Sequence, residues 1–307
     1  LKPSSGYRVF TFDLPKYAYI ILDGLIMDAS NVTINGVKIT RSTGAPSHHI
    51  WIKNSVIKNA PSQGVLTTGE ADGNRFTNVD VYSNGFTCPG HNSLDFCHGL
   101  YIATNNNIIE YSKIHGNAGW GVQIYDDVRT ISNNIVRNNL VYDNAFAGLR
   151  GVGIGLYSGP GHEAYGNIVW GNNAGIFMNY NATGAKVYDN TVYRNARNNG
   201  QTRQIVDGEG KNTAGIYNNT LINQDAPDVF PPIPGGDITQ YTLSVTKNGN
   251  GTIASNPAGI NCGSDCSESY ASGTSVTLTA AASSGSTFSS WGGACSGTTT
   301  TCTVTMN

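Results

Sequence analysis

Charged side chains are scarce in this sequence. Lys, Arg, Asp and Glu make up only 12% of the 307 residues, and the formal net charge is −2. So few basic residues cannot form a stripe that neutralises phosphates, which argues against a nucleic-acid partner. The sequence also lacks any run of about eighteen apolar residues, so no membrane span is predicted.

Cysteine is sparse as well, but its residues fall into three close pairs. The pairs are Cys88 with Cys97, Cys262 with Cys266, and Cys295 with Cys302. Local pairing into three disulfides is the simplest interpretation, and it predicts an oxidising, extracellular compartment and hence a secreted protein. A zinc site is the alternative, although the spacings lack a CxxC or Cys/His pattern.

Glycine and asparagine are abundant, and they recur in two phrases. The first phrase, Asn-x-Val-x-x-Asn, occurs as "NLVYDN" (139–144), "NIVWGN" (167–172) and "NTVYRN" (190–195). The second, glycine followed by alternating apolar residues, occurs as "GLYI" (99–102), "GVQI" (121–124), "GIGL" (153–156) and "GIFM" (175–178). Repetition every ~22 to 30 residues indicates a solenoid, in which stacked units bury the apolar face that one unit cannot.

The alternation within each phrase has the period of a strand rather than that of a helix. Short strands separated by Asn/Gly turns predict parallel coils. The side chains predicted to point into the core are Leu100, Ile102, Val122, Ile124, Ile154, Leu156, Ile176 and Met178. The repeated asparagines are predicted to be structural, because stacked amides hydrogen-bond along a solenoid and cap turn backbone groups.

This pattern resembles the right-handed parallel β-helix proteins, which include pectate lyases, alginate lyases, mannuronan epimerases and polygalacturonases. The motifs "NNNIIEYSKIHGN" and "NNIVRNNLVYDN" carry the resemblance, which extends over about residues 7–225. It implies an all-β fold with a right-handed parallel β-helix over residues 1–226. It also implies a protein that acts on a polysaccharide chain, although one scaffold supports many reactions.

A second module follows the repeats. Residues 227–239 are rich in Pro and Gly and read as a linker. Residues 240–307 predict a small, disulfide-containing all-β domain that resembles the bacterial internalin-type repeat module, through "GINCGSDC", "GTSVTLTA" and "FSSWGGACSG". The resemblance implies an accessory or surface-association role. Trp291 is predicted to pack beside Cys295 rather than to bind sugar, and the ending "CTVTMN" is compatible with a truncated module.

Three long links interrupt the regular coils, over residues 84–99, 144–153 and 195–204. A regular turn needs no extra residues, so insertions in a solenoid point to function. We expect these links to wall a groove on one side of the helix. A groove that crosses several coils suits a polymer better than a small ligand.

The outward positions of the glycine-phrase strands form two rows beside this groove. The first row holds Tyr101, Gln123, Gly155 and Phe177, and the second holds Ala103, Tyr125, Tyr157 and Asn179. Aromatic faces and amides are the groups on which sugar rings stack and to which they hydrogen-bond. The predicted substrate-binding residues are Gln123, Tyr157, Phe177, Asn179 and Arg203. Stacked aromatic residues that merely cover a sheet are the alternative interpretation.

Lysis of a uronate polymer requires a group that neutralises the sugar carboxylate, a base, and an acid for the leaving oxygen. The predicted catalytic residues are His98, Tyr101, Tyr125, Asp126 and Arg150. Arg150 or Arg203 would neutralise the carboxylate, and His98 with Tyr101 or Tyr125 would supply the other two groups. "DFCHG" (95–99) is faintly similar to the Asp/His cluster of mannuronan epimerases, with a different spacing.

Two other functions remain open. A hydrolase of polygalacturonase-like type would use a pair of carboxylates from Asp126, Asp127 and Glu163. A non-catalytic carbohydrate-binding or structural surface protein needs no such pair. Calcium is compatible with the oxygen-rich stretches 67–74, 125–127 and 206–210, although none has EF-hand spacing and no cofactor is certain.

Overall fold

The structure is a computed structural model of the chain. It describes residues 1–13, 18–41, 46–86, 97–145, 151–195, 204–212, 215–222, 240–256, 259–263, 265–271 and 275–306. Contacts divide the chain into two compact units, Leu1–Val229 and Phe230–Asn307. The predicted linker over 227–239 lies outside the described residues.

The first unit consists of short strands. They are β1 Arg8–Phe12, β2 Ile21–Asp23, β3 Ile26–Asp28, β4 Asn35–Ile39, β5 Trp51–Lys58, β6 Val65–Thr67, β7 Arg75–Tyr82, β8 Leu100–Ile102, β9 Ile108–Glu110, β10 Lys113–His115, β11 Val122–Ile124, β12 Ile135–Arg137, β13 Leu140–Tyr142, β14 Ile154–Pro160, β15 Glu163–Tyr165, β16 Ile168–Trp170, β17 Ile176–Thr183, β18 Lys186–Tyr188, β19 Thr191–Tyr193, β20 Ile205–Asp207, β21 Ile216–Tyr217 and β22 Thr220–Ile222. The described residues contain no α-helix, and hence no helix that could span a membrane.

These strands form two parallel sheets. Sheet A has eight strands in the order β1-β4-β6-β8-β11-β14-β17-β20, and sheet B has fourteen. In sheet B, β5 and β7 are each one long strand. In the later coils, two short strands occupy the positions that one long strand occupies in β5 and β7. Each strand pairs with its equivalent one coil away. The predicted parallel β-helix is therefore confirmed.

The interior between the sheets is apolar. All eight side chains predicted to point inward, from Leu100 to Met178, are fully buried in one continuous core. Alternation along each short strand brings one side chain inward for each that faces outward. Burial of a Leu or Ile side chain contributes about 1.5–3 kcal/mol, so stacking of coils stabilises each repeat.

Asparagine ladders hold the corners of the coils. One ladder consists of Asn84, Asn117, Asn144, Asn172 and Asn195, joined by Nδ2-to-Oδ1 hydrogen bonds of 2.9–3.0 Å. A second consists of Asn139, Asn167, Asn190 and Asn219. The first and last positions of the Asn-x-Val-x-x-Asn phrase thus each form a ladder, as predicted for structural asparagines.

The second phrase begins with glycine because there is no space for a side chain at that position. A Cβ added at Gly121 would lie 2.6 Å from the Gly153 carbonyl oxygen, 2.8 Å from Val141 Cγ1 and 2.9 Å from Asn144 Nδ2. Equivalent crowding occurs at Gly99 and Gly175. The asparagine ladder and the neighbouring coil therefore occupy the space that any side chain would need.

The second unit is antiparallel. Its strands are β23 Gln240–Ser244, β24 Gly251–Asn256, β25 Ser267–Ala271, β26 Ser275–Ala282 and β27 Thr301–Thr305. They form a two-stranded sheet, β23-β25, and a three-stranded sheet, β24-β26-β27. Two predicted disulfides, Cys262–Cys266 and Cys295–Cys302, are present. Trp291 packs against the core cluster that contains Cys295, and its indole N–H donates to the Thr299 carbonyl.

Candidate functional site

The two predicted rows lie side by side on the outward surface of sheet A. Strand register places Gln123 next to Tyr101 on one side and Gly155 on the other, and Phe177 continues the row. Tyr157 pairs with Asn179 in the second row. Several of these side chains are buried although they point away from the core, including Tyr157 and Gln123. Another group must therefore cover them.

Trp120 lies across this surface. A Cβ at Gly155 would collide with the six-membered ring of the indole, so the missing side chain at Gly155 makes room for Trp120. The indole meets the Tyr157 ring edge-to-face at a centroid distance of 5.1 Å and an angle of 65°. Sequence reasoning missed Trp120 because it belongs to the short link "NAGWG". The single glycine that interrupts an otherwise bulky row was the available signal.

The aromatic rings that surround Tyr157 on sheet A meet it at steep angles. We call the aromatic residues of this surface the sheet A cluster: His98, Tyr101, Trp120, Tyr125, Tyr157, Phe177 and Tyr180. Tyr125 meets Tyr157 at 85°, Tyr157 meets Tyr180 at 82°, and Tyr157 meets Phe177 at 68°. In such edge-to-face contacts a ring's edge, rather than its face, covers its neighbour. Each such contact therefore leaves one of its two rings with both faces uncovered by that neighbour.

A β-bulge directs Tyr180 into this cluster. The pairing of β14 with β17 shifts after Tyr157, so that Tyr180 and Asn181 together oppose Ser158. All three residues have positive φ values, of 48°, 64° and 58° respectively. Bulges re-aim side chains and occur frequently beside functional sites. Tyr180 is 58% exposed and forms the rim of the cluster with Tyr125.

Aromatic residues on sheet B are arranged differently. Tyr82, His115, Tyr142, Trp170 and Tyr193 stack over five coils, and their interplanar angles are only 1–13°. Tyr165, Tyr188 and Tyr217 form a second stack. Parallel stacking covers both faces of every interior ring. These ladders therefore stabilise the helix but present edges rather than faces to a ligand.

The phenols of the cluster stay protonated at neutral pH. Burial raises the pKa of Tyr101 well above its ordinary value, and the nearby Asp127, Tyr125 and Asp126 raise it further. Burial likewise raises the pKa of Tyr157, and burial with Asp127 raises that of Tyr125. Each phenol therefore carries its proton at neutral pH and can only donate it, although the raised pKa makes it a weaker acid than an ordinary tyrosine.

His98 is fully buried and supports its neighbours. Its Nδ1 accepts a hydrogen bond from the backbone N–H of Trp120 at 3.2 Å, and its ring stacks on Tyr101 at 5.6 Å. In the neutral ring this assigns the proton to Nε2. His98 is therefore better suited to positioning Trp120 and Tyr101 than to removing a proton from substrate.

Asp126 is held in a turn. Its side chain accepts from the backbone N–H groups of Val128 and Arg129 and pairs with the Arg129 guanidinium at 2.7–2.9 Å. Asp127, by contrast, is exposed. Glu163 lies on β15 of sheet B, where it pairs with Lys186 and Tyr188. Asp126 thus lies in the turn after β11 and Glu163 on sheet B, and each is engaged by its own local partners.

Several predicted residues lie outside the described residues. They are Arg150, Arg203, Asp95 and Cys88. The Cys88–Cys97 pairing therefore stays a prediction, although Cys97 itself is buried. Most of the three long links also falls outside the described ranges, so the predicted groove walls are untested.

The oxygen-rich stretches are engaged in local hydrogen bonds. Asp72 accepts from Asn105, and Asp207 accepts from the Asn212 backbone. Over the described ranges, no three His, Cys, Asp or Glu side chains come together to hold a metal ion. These residues do not provide a preformed cluster of acidic calcium ligands, and calcium binding stays a prediction.

Comparisons with known proteins support this architecture. Residues 241–307 match the family model described as the divergent InlB B-repeat domain. No curated protein sequence matches the chain. Among solved structures, a mutant of the periplasmic alginate epimerase AlgG aligns with a TM-score of 0.55 and 14% identity, over 71% of this chain and 49% of that protein.

Two further structures align more loosely. Pectate lyase Pel9A has a TM-score of 0.46 and 18% identity, over 64% of this chain and 55% of that protein. A bacteriophage tailspike domain has a TM-score of 0.42 and 10% identity, over 71% of this chain and 35% of that protein. The chain thus spans about half the length of the epimerase and the lyase. At these identities the likeness to the epimerase establishes the parallel β-helix fold and not an activity.

Proposed function

We propose that the protein binds a polysaccharide chain across the outward surface of sheet A and cleaves a uronate-containing polymer, such as pectate or alginate, by β-elimination. The edge-to-face arrangement of the sheet A cluster is the observation that carries this proposal. Tyr180, which is 58% exposed, and the half-buried Tyr125 beside it offer ring surface at the rim that suits the C–H faces of sugar rings. The resemblance of the fold to alginate epimerase and pectate lyase is consistent with such a substrate.

In β-elimination a base removes the sugar proton next to the carboxylate, the bond to the glycosidic oxygen breaks, and a carbon–carbon double bond forms. The leaving oxygen takes a proton. Tyr101 suits this last step because its phenol is protonated at neutral pH. The exposed Asp127 carboxylate, whose charge acts on Tyr101, is our candidate for the base. Arg150 and Arg203 stay the candidates for neutralising the sugar carboxylate.

Non-catalytic binding is the second candidate function. It is favoured by the local hydrogen bonds of His98 and Asp126, which engage His98 Nδ1 and the Asp126 carboxylate within the protein. Hydrolysis is less well supported, because Asp126 is paired with Arg129 in a turn and Glu163 with Lys186 and Tyr188 on sheet B.

We also propose an extracellular or periplasmic location. The disulfides of the second unit require an oxidising compartment to form and persist. The match of that unit to an InlB repeat supports an accessory role at a surface.

The test is to incubate the full chain with pectate, alginate and neutral glycans. A lyase generates unsaturated sugar that absorbs ultraviolet light. New reducing ends without that absorbance would indicate hydrolysis, and retardation in an affinity gel with neither product would indicate binding alone. Absence of both products and of retardation on every polymer would overturn the proposal.

A further inference from the structure

Two buried polar atoms on the outward side of sheet A lack hydrogen-bond partners. They are Trp120 Nε1, a donor, and Gln123 Oε1, an acceptor, and no described residue pairs with either. The whole Gln123 side chain is only 7% exposed. An unpaired buried polar group costs about 1–3 kcal/mol. Gln123 is the strand neighbour of Gly155, and the Trp120 indole lies against Gly155, so two such groups on one outward surface call for an explanation.

The surroundings allow the indole to move while its backbone stays fixed. The Trp120 backbone N–H is anchored on His98 Nδ1, and the ring lies over Gly155, which has no side chain to hold it. Its ring neighbours, His98 and Tyr157, are edge contacts with centroid distances of 6.1 and 5.1 Å. Rotation about the side-chain bonds of Trp120 would therefore break no hydrogen bond of the indole.

A hydroxyl group can accept one hydrogen bond and donate another, so it complements one donor together with one acceptor. We infer that Trp120 and Gln123 form a subsite for a sugar hydroxyl, which accepts from the indole N–H and donates to the Gln123 amide oxygen. This inference rests on the proposed function. It assigns the hydroxyl side of a sugar ring, and not its carboxylate, to this position, because an amide oxygen repels a carboxylate and the nearby Arg129 is already paired with Asp126.

The test uses calorimetric titration of the full chain with short oligosaccharides of galacturonate, of mannuronate and of the neutral sugar xylose. Trp120→Phe removes the donor and Gln123→Met removes the acceptor at similar volume. Each should weaken binding of the preferred oligosaccharide about tenfold. Trp170→Phe, in a stacked ladder of sheet B, is the matched control and should bind like the wild type.

Gln123→Glu separates a hydroxyl from a carboxylate. A carboxylate side chain still accepts from a hydroxyl, so binding should stay within about threefold, whereas a carboxylate ligand would be repelled and binding lost about tenfold or more. The latter result overturns the hydroxyl assignment. Thermal unfolding of each variant verifies that it is folded.

The two proposals fail in different ways. If the wild type binds an oligosaccharide and Trp120→Phe and Gln123→Met bind it equally well, the unpaired atoms are a packing defect or a water site, and only the subsite is overturned. If the wild type binds none of the three probes, the subsite is overturned, whereas the proposed function is overturned only if the polymer assays also give no product and no retardation.

Discussion

Tyr101 illustrates how position decides what one phenol can do. Its strand neighbours in sheet A place it in the outward row, and its ring lies against that of His98. Burial and the charges of Asp127 and Asp126 then keep its hydroxyl protonated. The same residue type at Tyr142, stacked between His115 and Trp170, has both faces covered. Residue identity alone would not separate the two.

We therefore expect Tyr101→Phe to lower the rate of any polymer cleavage by about 10²- to 10⁴-fold, the contribution of a general acid. Oligosaccharide binding should change little, because the ring is retained. Initial rates on the preferred polymer measure the effect. Tyr142→Phe is the matched control on sheet B, and equal rates for the two variants would remove Tyr101 from the mechanism.

His162 ends the third asparagine ladder, which runs through Asn74, Asn107 and Asn134. The Asn134 backbone N–H donates to its Nδ1 instead of to another asparagine. Burial lowers the pKa of His162 to about 4, against smaller opposing effects of the Ser158 and Tyr157 backbone. The folded protein thus holds this imidazole neutral.

Because the unfolded chain binds the proton more tightly, with a pKa near about 6.5, His162 stabilises the fold above pH ~6.5. This contribution is lost as the pH falls toward 4. Between these limits the wild type should lose up to about 3 kcal/mol more unfolding free energy than His162→Asn, which does not titrate there. Urea unfolding at both pH values tests this expectation. Equal acid losses in the two proteins would contradict it.

The repeating structural element of the parallel β-helix is a short strand followed by a turn that contains asparagine. Each coil supplies inward apolar side chains, one crowded glycine and asparagines whose amides bond to the next coil. Sequence alone predicts this element well, because period-two alternation and phrase repetition leave few other solutions. It does not predict the β-bulge at Tyr180, which arises because β17 has one more residue than β14 in the stretch where the two strands pair.

Ladder asparagines should differ in their contribution according to burial. Asn144 is buried, donates to Asn172 Oδ1 and to the Ile114 carbonyl, and accepts from Asn117. Asn144→Ala should lower the free energy of unfolding by at least about 2 kcal/mol, because buried partners lose their bonds. At the partly exposed end of the second ladder, Asn219→Ala should cost at most about 1 kcal/mol, since water replaces its bonds. Denaturant unfolding of both variants measures the difference, and equal losses would refute the role of burial.

At the scale of the whole molecule, the chain joins a parallel solenoid with aromatic residues on two sheets to a small antiparallel unit. Both architectures could be predicted from the sequence, because each unit has its own repeated motifs and cysteine spacing. The candidate site could be predicted only in part. The rows on sheet A follow from register, but Trp120 enters from a link, and its position depends on the absence of a side chain at Gly155.

The central claim is that sheet A, and not sheet B, carries the polysaccharide site. The most direct test compares the affinity of two double variants for the polymer that the wild type prefers, by affinity gel electrophoresis. Tyr125→Ala/Tyr180→Ala removes the two rings at the rim of the sheet A cluster, and Tyr142→Ala/Tyr188→Ala removes rings from the two stacked ladders of sheet B.

We predict that the sheet A double variant loses affinity by about tenfold or more, since each aromatic contact contributes roughly 0.5–1.5 kcal/mol beyond its buried area. The sheet B double variant should be less stable but, while folded, should bind like the wild type. Loss of affinity confined to the sheet B variant would contradict the account.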